Sequence, residues 1–231
     1  MGHRLLEELG SALTTAHRAP PKTKRVRVQR LRKRGHYERA TIDAILDAGL
    51  VCHVGIVHAG APVVIPTLYW REGDHVYLHG SAVSRLLDKA RKATVCVTVT
   101  VLDALVLTRS AFHHSVNYRS ALILGRPVEV TDPAEKAAHL RRFMEGLMPG
   151  RWDGLRPVKP KELKATRLLR LAIDEASAKI RSGPPADDKA DLDWPAWGGL
   201  IPIESRLGQP EPDAHAIAGI APPVVAKPRG R

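Results

Sequence analysis

The chain has 231 residues, enough for one well-buried domain with tails and too few to make two full-sized domains the default. Hydrophobic residues make up 44% of it but aromatics only 4%, so the core is built mainly from Val, Leu, Ile and Ala; that favours a compact β-rich or α/β domain and leaves too few rings for a base-stacking platform. The formal net charge of +12 is local: from Arg18 to Arg39 ten Lys or Arg face one acid, Glu38, and the last ten residues add Lys227, Arg229 and Arg231, while 40–221 is about balanced. Such an arm attracts nucleic acid or anionic lipid by counterion release without being a specific site, so neither a specific nucleic-acid partner nor a membrane partner is expected.

Residues 1–34 have no sustained hydrophobic period, carry Pro20-Pro21 and read as a mobile basic arm. Arg4, Glu7 and Glu8 stand where a secretory leader would be apolar, and no uncharged apolar stretch reaches the length of a membrane span. Cys52 and Cys96 lie in apolar runs without zinc or disulfide spacing, so buried reduced thiols and a cytoplasmic location are expected. The folded domain is expected over 35–208, followed by a disordered Pro- and Ala-rich tail at 209–231.

A short helix is predicted from Ile42, Ile45, Leu46 and Gly49, with Gly49 as its stop. Three strands follow, Leu50–His58, Pro62–Tyr69 and His75–Leu78, separated by Ala59-Gly60 and by Arg71-Glu72-Gly73-Asp74, which suggests an antiparallel meander. Ser81–Lys92 turns helical, with Val83, Leu86, Leu87 and Ala90 on one side. Thr94–Thr108 and Ser115–Val130 are long strand candidates, the first alternating Val95, Val97, Val99 and Val101 with Cys96, Thr98, Thr100 and Leu102; their length suits a barrel wall. Asp132-Pro133 predicts an N-cap with proline at the first helical position, opening a helix with Ala137, Leu140, Phe143, Met144 and Leu147 inward. Leu163–Ile173 reads as a further strand.

Two units carry chemistry. At His79-Gly80-Ser81-Ala82-Val83-Ser84-Arg85 a strand hands over to a helix, where free N–H groups, hydroxyls and the Arg85 guanidinium can converge on a phosphate and Gly80 lets backbone approach closely. The plain alternative is a serine helix cap. At His114-Ser115-Val116-Asn117-Tyr118-Arg119-Ser120 polar residues crowd the start of an apolar strand, which is costly unless they are solvated or bind something polar. A solvated strand end stands beside the binding reading.

Together with Ile65-Pro66-Thr67-Leu68-Tyr69, with Gly125, and more loosely with Trp194–Ile203, these units resemble the flavin-nucleotide-binding proteins related to pyridoxamine 5′-phosphate oxidase, in particular the nitroimidazole-resistance-type branch. The resemblance covers about Arg34 to Leu207. It implies a mainly β fold with flanking helices, a six-stranded antiparallel, Greek-key-like split barrel that forms a homodimer with FMN at the interface. It further implies that Ser84 and Arg85 hold the phosphate, that Ile65, Pro66, Thr67, Leu68 and Tyr69 line the isoalloxazine, and that His79, Gly80 and Ser81 lie near the ribityl chain or ring edge. Asn117, Tyr118 and Ser120 would approach from the next wall, and Trp194 or Trp197 would close the site from the partner subunit. Pyridoxamine oxidases follow the Ser-Arg pair with a lysine, whereas Leu86 stands here, which argues against that activity. The expected function is therefore flavin-dependent reduction of a small electron acceptor such as a nitro compound or quinone, with His79 as the candidate catalytic residue; a satisfied surface or interface histidine is the plain alternative. Split barrels of this superfamily also bind haem or the deazaflavin F420, and His53, His79, His113 and His114 give haem candidates, though none has a spacing specific to an axial ligand. A non-catalytic flavin-binding protein and a basic binding module acting through its arm are the remaining readings.

Overall fold

A computed structural model of the chain describes residues 19–217 and 219–226. Strand β1 (Gly35–His36) leads into helix α1 (Arg39–Ala48), and β2 (Val51–His58), β3 (Ala61–Glu72) and β4 (His75–Ser81) follow as the expected meander. Helix α2 (Arg85–Ala90) separates these from β5 (Val95–Leu107) and β6 (Ser115–Gly125). The two-residue β7 (Val128–Glu129), helices α3 (Pro133–Leu147) and α4 (Pro160–Ala165), and strands β8 (Thr166–Ala172), β9 (Glu175–Arg181) and β10 (Gly199–Pro202) complete the described elements. The sheet is antiparallel and open, in the order β1-β9-β6-β5-β2-β3-β4-β8-β7, with β10 paired to the distal half of β5. This is the split barrel that the resemblance implies, with ten strands among the described residues in place of six.

The inner wall follows from alternation. Cys52, Val54 and Ile56 of β2 and Val95, Val97 and Val99 of β5 point inward against Ala121 and Ile123 of β6 and Leu169 and Leu171 of β8. A bulge between Leu102 and Ala104 resets the parity of β5, so that Ala104 and Val106 become the buried positions beyond it and the simple alternation through Val101 ends there. Helix α1 plugs one end of this core with Ile42, Ile45 and Leu46. Gly49 does end α1, but in extended rather than left-handed backbone; glycine is required because a Cβ would lie 2.6 Å from a Val99 methyl and 2.7 Å from the Tyr69 hydroxyl. The β2–β3 hairpin turns at Ala59 and Gly60, both with positive φ, as a right-handed strand twist demands of a two-residue loop.

Four expectations change. The stretch expected as one strand to Val130 breaks at Arg126-Pro127, because proline supplies no N–H to the ladder, and resumes as β7 on the far edge, against β8. The strand expected to start at Leu163 is helical to Ala165, opened by Pro160 at its first turn. Asp132 caps α3 as expected, accepting from Glu135 N–H at 2.7 Å, but the buried positions of α3 are Lys136 and His139 rather than the apolar row. The Lys136 ammonium donates to the Leu163 and Thr166 carbonyls at 3.2 and 2.8 Å, capping the end of α4, and His139 meets Glu72 at 3.0 Å.

The fourth concerns the basic arm. Its described part, 19–34, is packed onto the sheet: Val26 is buried, Lys22 pairs with Asp174, Thr23 and Arg25 with Glu175, and Val28 N–H donates to the Tyr37 hydroxyl at 2.9 Å. The remainder of the arm, 1–18, lies outside the described residues. In the C-terminal tail, 209–217 and 219–226 form no helix or strand, and Ala226 N–H donates to Leu147 O at 2.8 Å; 218 and 227–231 lie outside the described residues. No helix among the described residues is long and apolar enough to cross a membrane.

Candidate functional site

Beyond Leu68, β3 pairs with β4, but its proximal half pairs with β2 alone and leaves one edge open. Pro62 and Pro66 sit in that half, where a missing N–H costs nothing. A groove of about 510 Å³ opens beside this edge, lined by Ile56, His58, Val63, Ile65, Pro66, Thr67, His79, Gly80, Ser84, Arg85, Leu86 and Leu87. Thus Ile65, Pro66, Thr67, His79, Gly80, Ser84 and Arg85 come together as the sequence predicts, from two strands and the entry to α2.

The polar groups of the groove differ in what they are free to do. Ser84 Oγ accepts from Leu87 N–H at 3.4 Å, which makes it the cap of α2; the helix has six residues, and little of a macrodipole is available from so short an element. The positive charge facing the groove is therefore that of Arg85, which is exposed and has no carboxylate partner among the described residues. Leu86, where the lysine of pyridoxamine oxidases would stand, is buried in the core and adds no cation. A Cβ on Gly80 would stand 3.1 Å from Leu87 Cδ1, so the bare backbone keeps the strand close to α2.

The His79 imidazole is packed into the aromatic cluster on the outer face of β4, although the residue borders the groove. Its Nδ1 is buried without a hydrogen-bond partner among the described residues, and burial pushes its pKa below the ordinary value of 6.5, which leaves a neutral imidazole at neutral pH. Trp70 meets its ring edge-on with centroids 5.7 Å apart, and Phe143 lies at 5.4 Å. Trp70 is in turn fixed by donating its indole N–H to Glu72 at 2.9 Å and by stacking on Tyr77 and Phe143. Burial alone would raise the Glu72 carboxyl, but hydrogen bonds from Trp70, Arg142 and His139 overcome that and leave it below its ordinary value.

The other predicted site residues lie elsewhere within the single chain. Leu68 is exposed next to the groove, and Ser81 at the end of β4 accepts from Val83 N–H at 3.4 Å. Tyr69 does not line the groove: it is in the core, its hydroxyl donates to Leu46 O, and burial raises its pKa. Asn117 is buried and bonded to Gly183 O and Arg181, while Tyr118 and Ser120 are on the opposite side of the sheet from the core. Trp197 is 64% exposed, beside Gly199. Sequence reasoning missed His58, although it continues the even-numbered inward row of Cys52, Val54 and Ile56 to the mouth of the groove. It also missed Arg167, set opposite Gly80 on β8, with its Nη1 buried and lacking a hydrogen bond and its Nε bonded to Glu129 at 3.2 Å.

The pyridoxamine 5′-phosphate oxidase family model matches residues 38–180. Among solved structures, the flavocytochrome Anf3 from Azotobacter vinelandii is 44% identical with a TM-score of 0.85, over 89% of this chain and 96% of that one. A FAD and haem binding protein from Mycobacterium smegmatis is 34% identical with a TM-score of 0.78, over 82% and 94%. A protein from Bacteroides thetaiotaomicron named for 5-nitroimidazole antibiotic resistance shares the fold at 19% identity and a TM-score of 0.54, over 74% and 90%. No curated protein sequence matches significantly.

Proposed function

The chain belongs to the pyridoxamine 5′-phosphate oxidase family, and from that premise we propose that it is a flavin- and haem-binding redox protein that delivers electrons to a small acceptor. The observation that carries the reading is the groove itself, in which an open strand edge and the uncompensated guanidinium of Arg85 face one space. These residues fit a flavin nucleotide: Arg85 would hold a phosphate, and the groups that β3 turns to its open edge, the Val64 N–H and C=O and the Pro66 carbonyl, would meet the polar edge of the ring. The flavin, when bound, supplies hydride and one-electron chemistry. The protein's part is to seat the ring on an apolar floor of Ile56, Val63 and Leu87 and to leave one side open for an acceptor.

Haem enters because two solved structures above 30% identity carry names that join it to a flavin. His58, which continues the inward row of β2 to the mouth of the groove, is the imidazole that would hold haem iron there. The name of the Mycobacterium smegmatis protein favours FAD over FMN as the flavin. A homodimer suits the apolar surface that β2 and β3 leave uncovered, with Val57 71%, Val64 62% and Leu68 47% exposed around the open side of the groove. Oxidation of pyridoxamine phosphate is not proposed, since Leu86 removes the cation that grips phosphate in those enzymes.

The test is the absorption spectrum of the purified protein, with the extracted flavin identified by chromatography. Flavin bands together with a Soret band are expected, with FAD in the extract and reduction of the haem band when the flavin is reduced. Protein that stays colourless after reconstitution with FAD, FMN and haemin refutes the reading; flavin without haem narrows it to a flavin-dependent reductase.

A further inference from the structure

A second groove lies on the opposite side of the sheet and shares no lining residue with the first. On β6 and β9 the pairs Leu122–Ser177, Ser120–Lys179 and Tyr118–Arg181 stand side by side on one face, whereas Ala121, Ile123, Ala176 and Ala178 between them face the core. The 25–30 segment crosses over that outer face, held by Val26 and by the Arg25–Glu175 pair, and encloses a groove of about 280 Å³.

Its electrostatics are uncompensated. Arg27, Arg30 and Lys179 line it, and none has a carboxylate partner among the described residues; the Arg25 charge alone is matched, by Glu175. Further along the same row, Arg181 is 9% exposed, and its hydrogen-bonding partner is the Asn117 side-chain oxygen, a neutral group. Asn117 is oriented for this, since its amide nitrogen donates to Gly183 O at 3.0 Å. Burial and the neighbouring positive charge of Arg34 both push the Arg181 pKa down. Arg181 lies outside the lining, so the uncompensated cations that face the groove are Arg27, Arg30 and Lys179, which together give it a positive potential.

We propose that this groove is a second anion site, distinct from the flavin groove, that takes a small phosphorylated molecule held by Arg27, Arg30 and Lys179 with the hydroxyl of Ser177. The volume fits such a ligand: at about 30 Å³ of liquid per water, it holds roughly nine waters' worth of phosphate and small organic group. A nucleic-acid strand fits poorly, because the lining contains no aromatic ring on which a base would stack and the 25–30 segment covers the face.

Isothermal titration of the full-length, cofactor-loaded protein with inorganic phosphate and with pyrophosphate tests this. Saturable binding at one site is expected, together with a rise in melting temperature on adding the anion. The double variant Arg27→Ala/Lys179→Ala should weaken it at least tenfold while melting like the parent without ligand, because neither side chain has an internal ion pair to lose. Absence of saturable binding, or equal binding by the double variant, overturns the proposal. So does binding of a single-stranded oligonucleotide without binding of pyrophosphate, which makes the face a general polyanion surface.

Discussion

Arg85→Ala separates ligand binding from folding, because the side chain is exposed and has no carboxylate partner to abandon. Its helix is held from below by Leu86, Leu87 and Ala90, all buried, so stability should change by less than about 0.5 kcal/mol, the usual range for a surface replacement. Flavin affinity should respond far more. A hydrogen bond to a charged group is worth about 1.5–3 kcal/mol, which corresponds to roughly a 10- to 150-fold rise in Kd at about 1.4 kcal/mol per decade. Ser84→Ala is the internal comparison: it removes a cap whose bond is long, at 3.4 Å, so it should cost about 0.5 kcal/mol of stability and change affinity less than Arg85→Ala does. The assay titrates apo-protein with FAD and with FMN while following flavin fluorescence, alongside thermal unfolding by circular dichroism. A folded Arg85→Ala protein that binds both flavins within twofold of the parent refutes the assignment of Arg85 to the phosphate.

Gly49→Ala should destabilise by about 1–3 kcal/mol through overpacking, since the added methyl meets Val99 and the Tyr69 hydroxyl at 2.6 and 2.7 Å; at about 2–4 °C per kcal/mol, a fall of several degrees in melting temperature checks it, and an unchanged melt would contradict the packing described. His79, with its pKa below 6.5 in the fold, binds its proton more readily in the unfolded chain, so stability should decline as pH drops below about 6.5 and level off below the folded pKa. His79→Gln should flatten that limb in a series of melts from pH 7.5 down to 5, and an identical slope would assign the dependence to other groups. Cys52, whose thiol burial pushes up to about 12, should resist iodoacetamide at pH 8 in the folded protein and react fully in guanidinium, as mass spectrometry of the alkylated chain would record.

Much of the architecture was legible because period-two alternation and turn residues are local signals: the β2–β3–β4 meander, the Ala59-Gly60 hairpin and the Asp132-Pro133 opening of α3 all stand within a few residues of their expected bounds. The groove was legible through the strand-to-helix joint and the Ile65–Thr67 run, which lie near one another once β3 and β4 pair. What escaped was decided at long range. β9 alternates small residues with Ser177, Lys179 and Arg181 and has no apolar stripe to announce it; it becomes a strand because β6 pairs with it along seven residue pairs. The inward turn of Lys136 and His139 depends on carbonyls and a carboxylate contributed by distant parts of the chain, and no periodicity records those partners. The arm read as mobile because its sequence lacks a hydrophobic period, yet Val26 and the acids Asp174 and Glu175 on the far side of the chain are enough to dock its described part.

The irregularity at Leu102–Ala104 divides one strand between two duties. Upstream of it, a change of side chain is felt inside the barrel beside β2; downstream, the same kind of change is felt at the junction with β10, whose residues stand against Ala104 to Leu107. Variation can therefore accumulate in the distal segment without disturbing the proximal one, and a single-residue deletion at Asp103 would merge the two into one regular strand, in which Ala104 and Val106 keep the inward phase of Val95, Val97 and Val99 while the ion pair of Asp103 with Arg119 is lost.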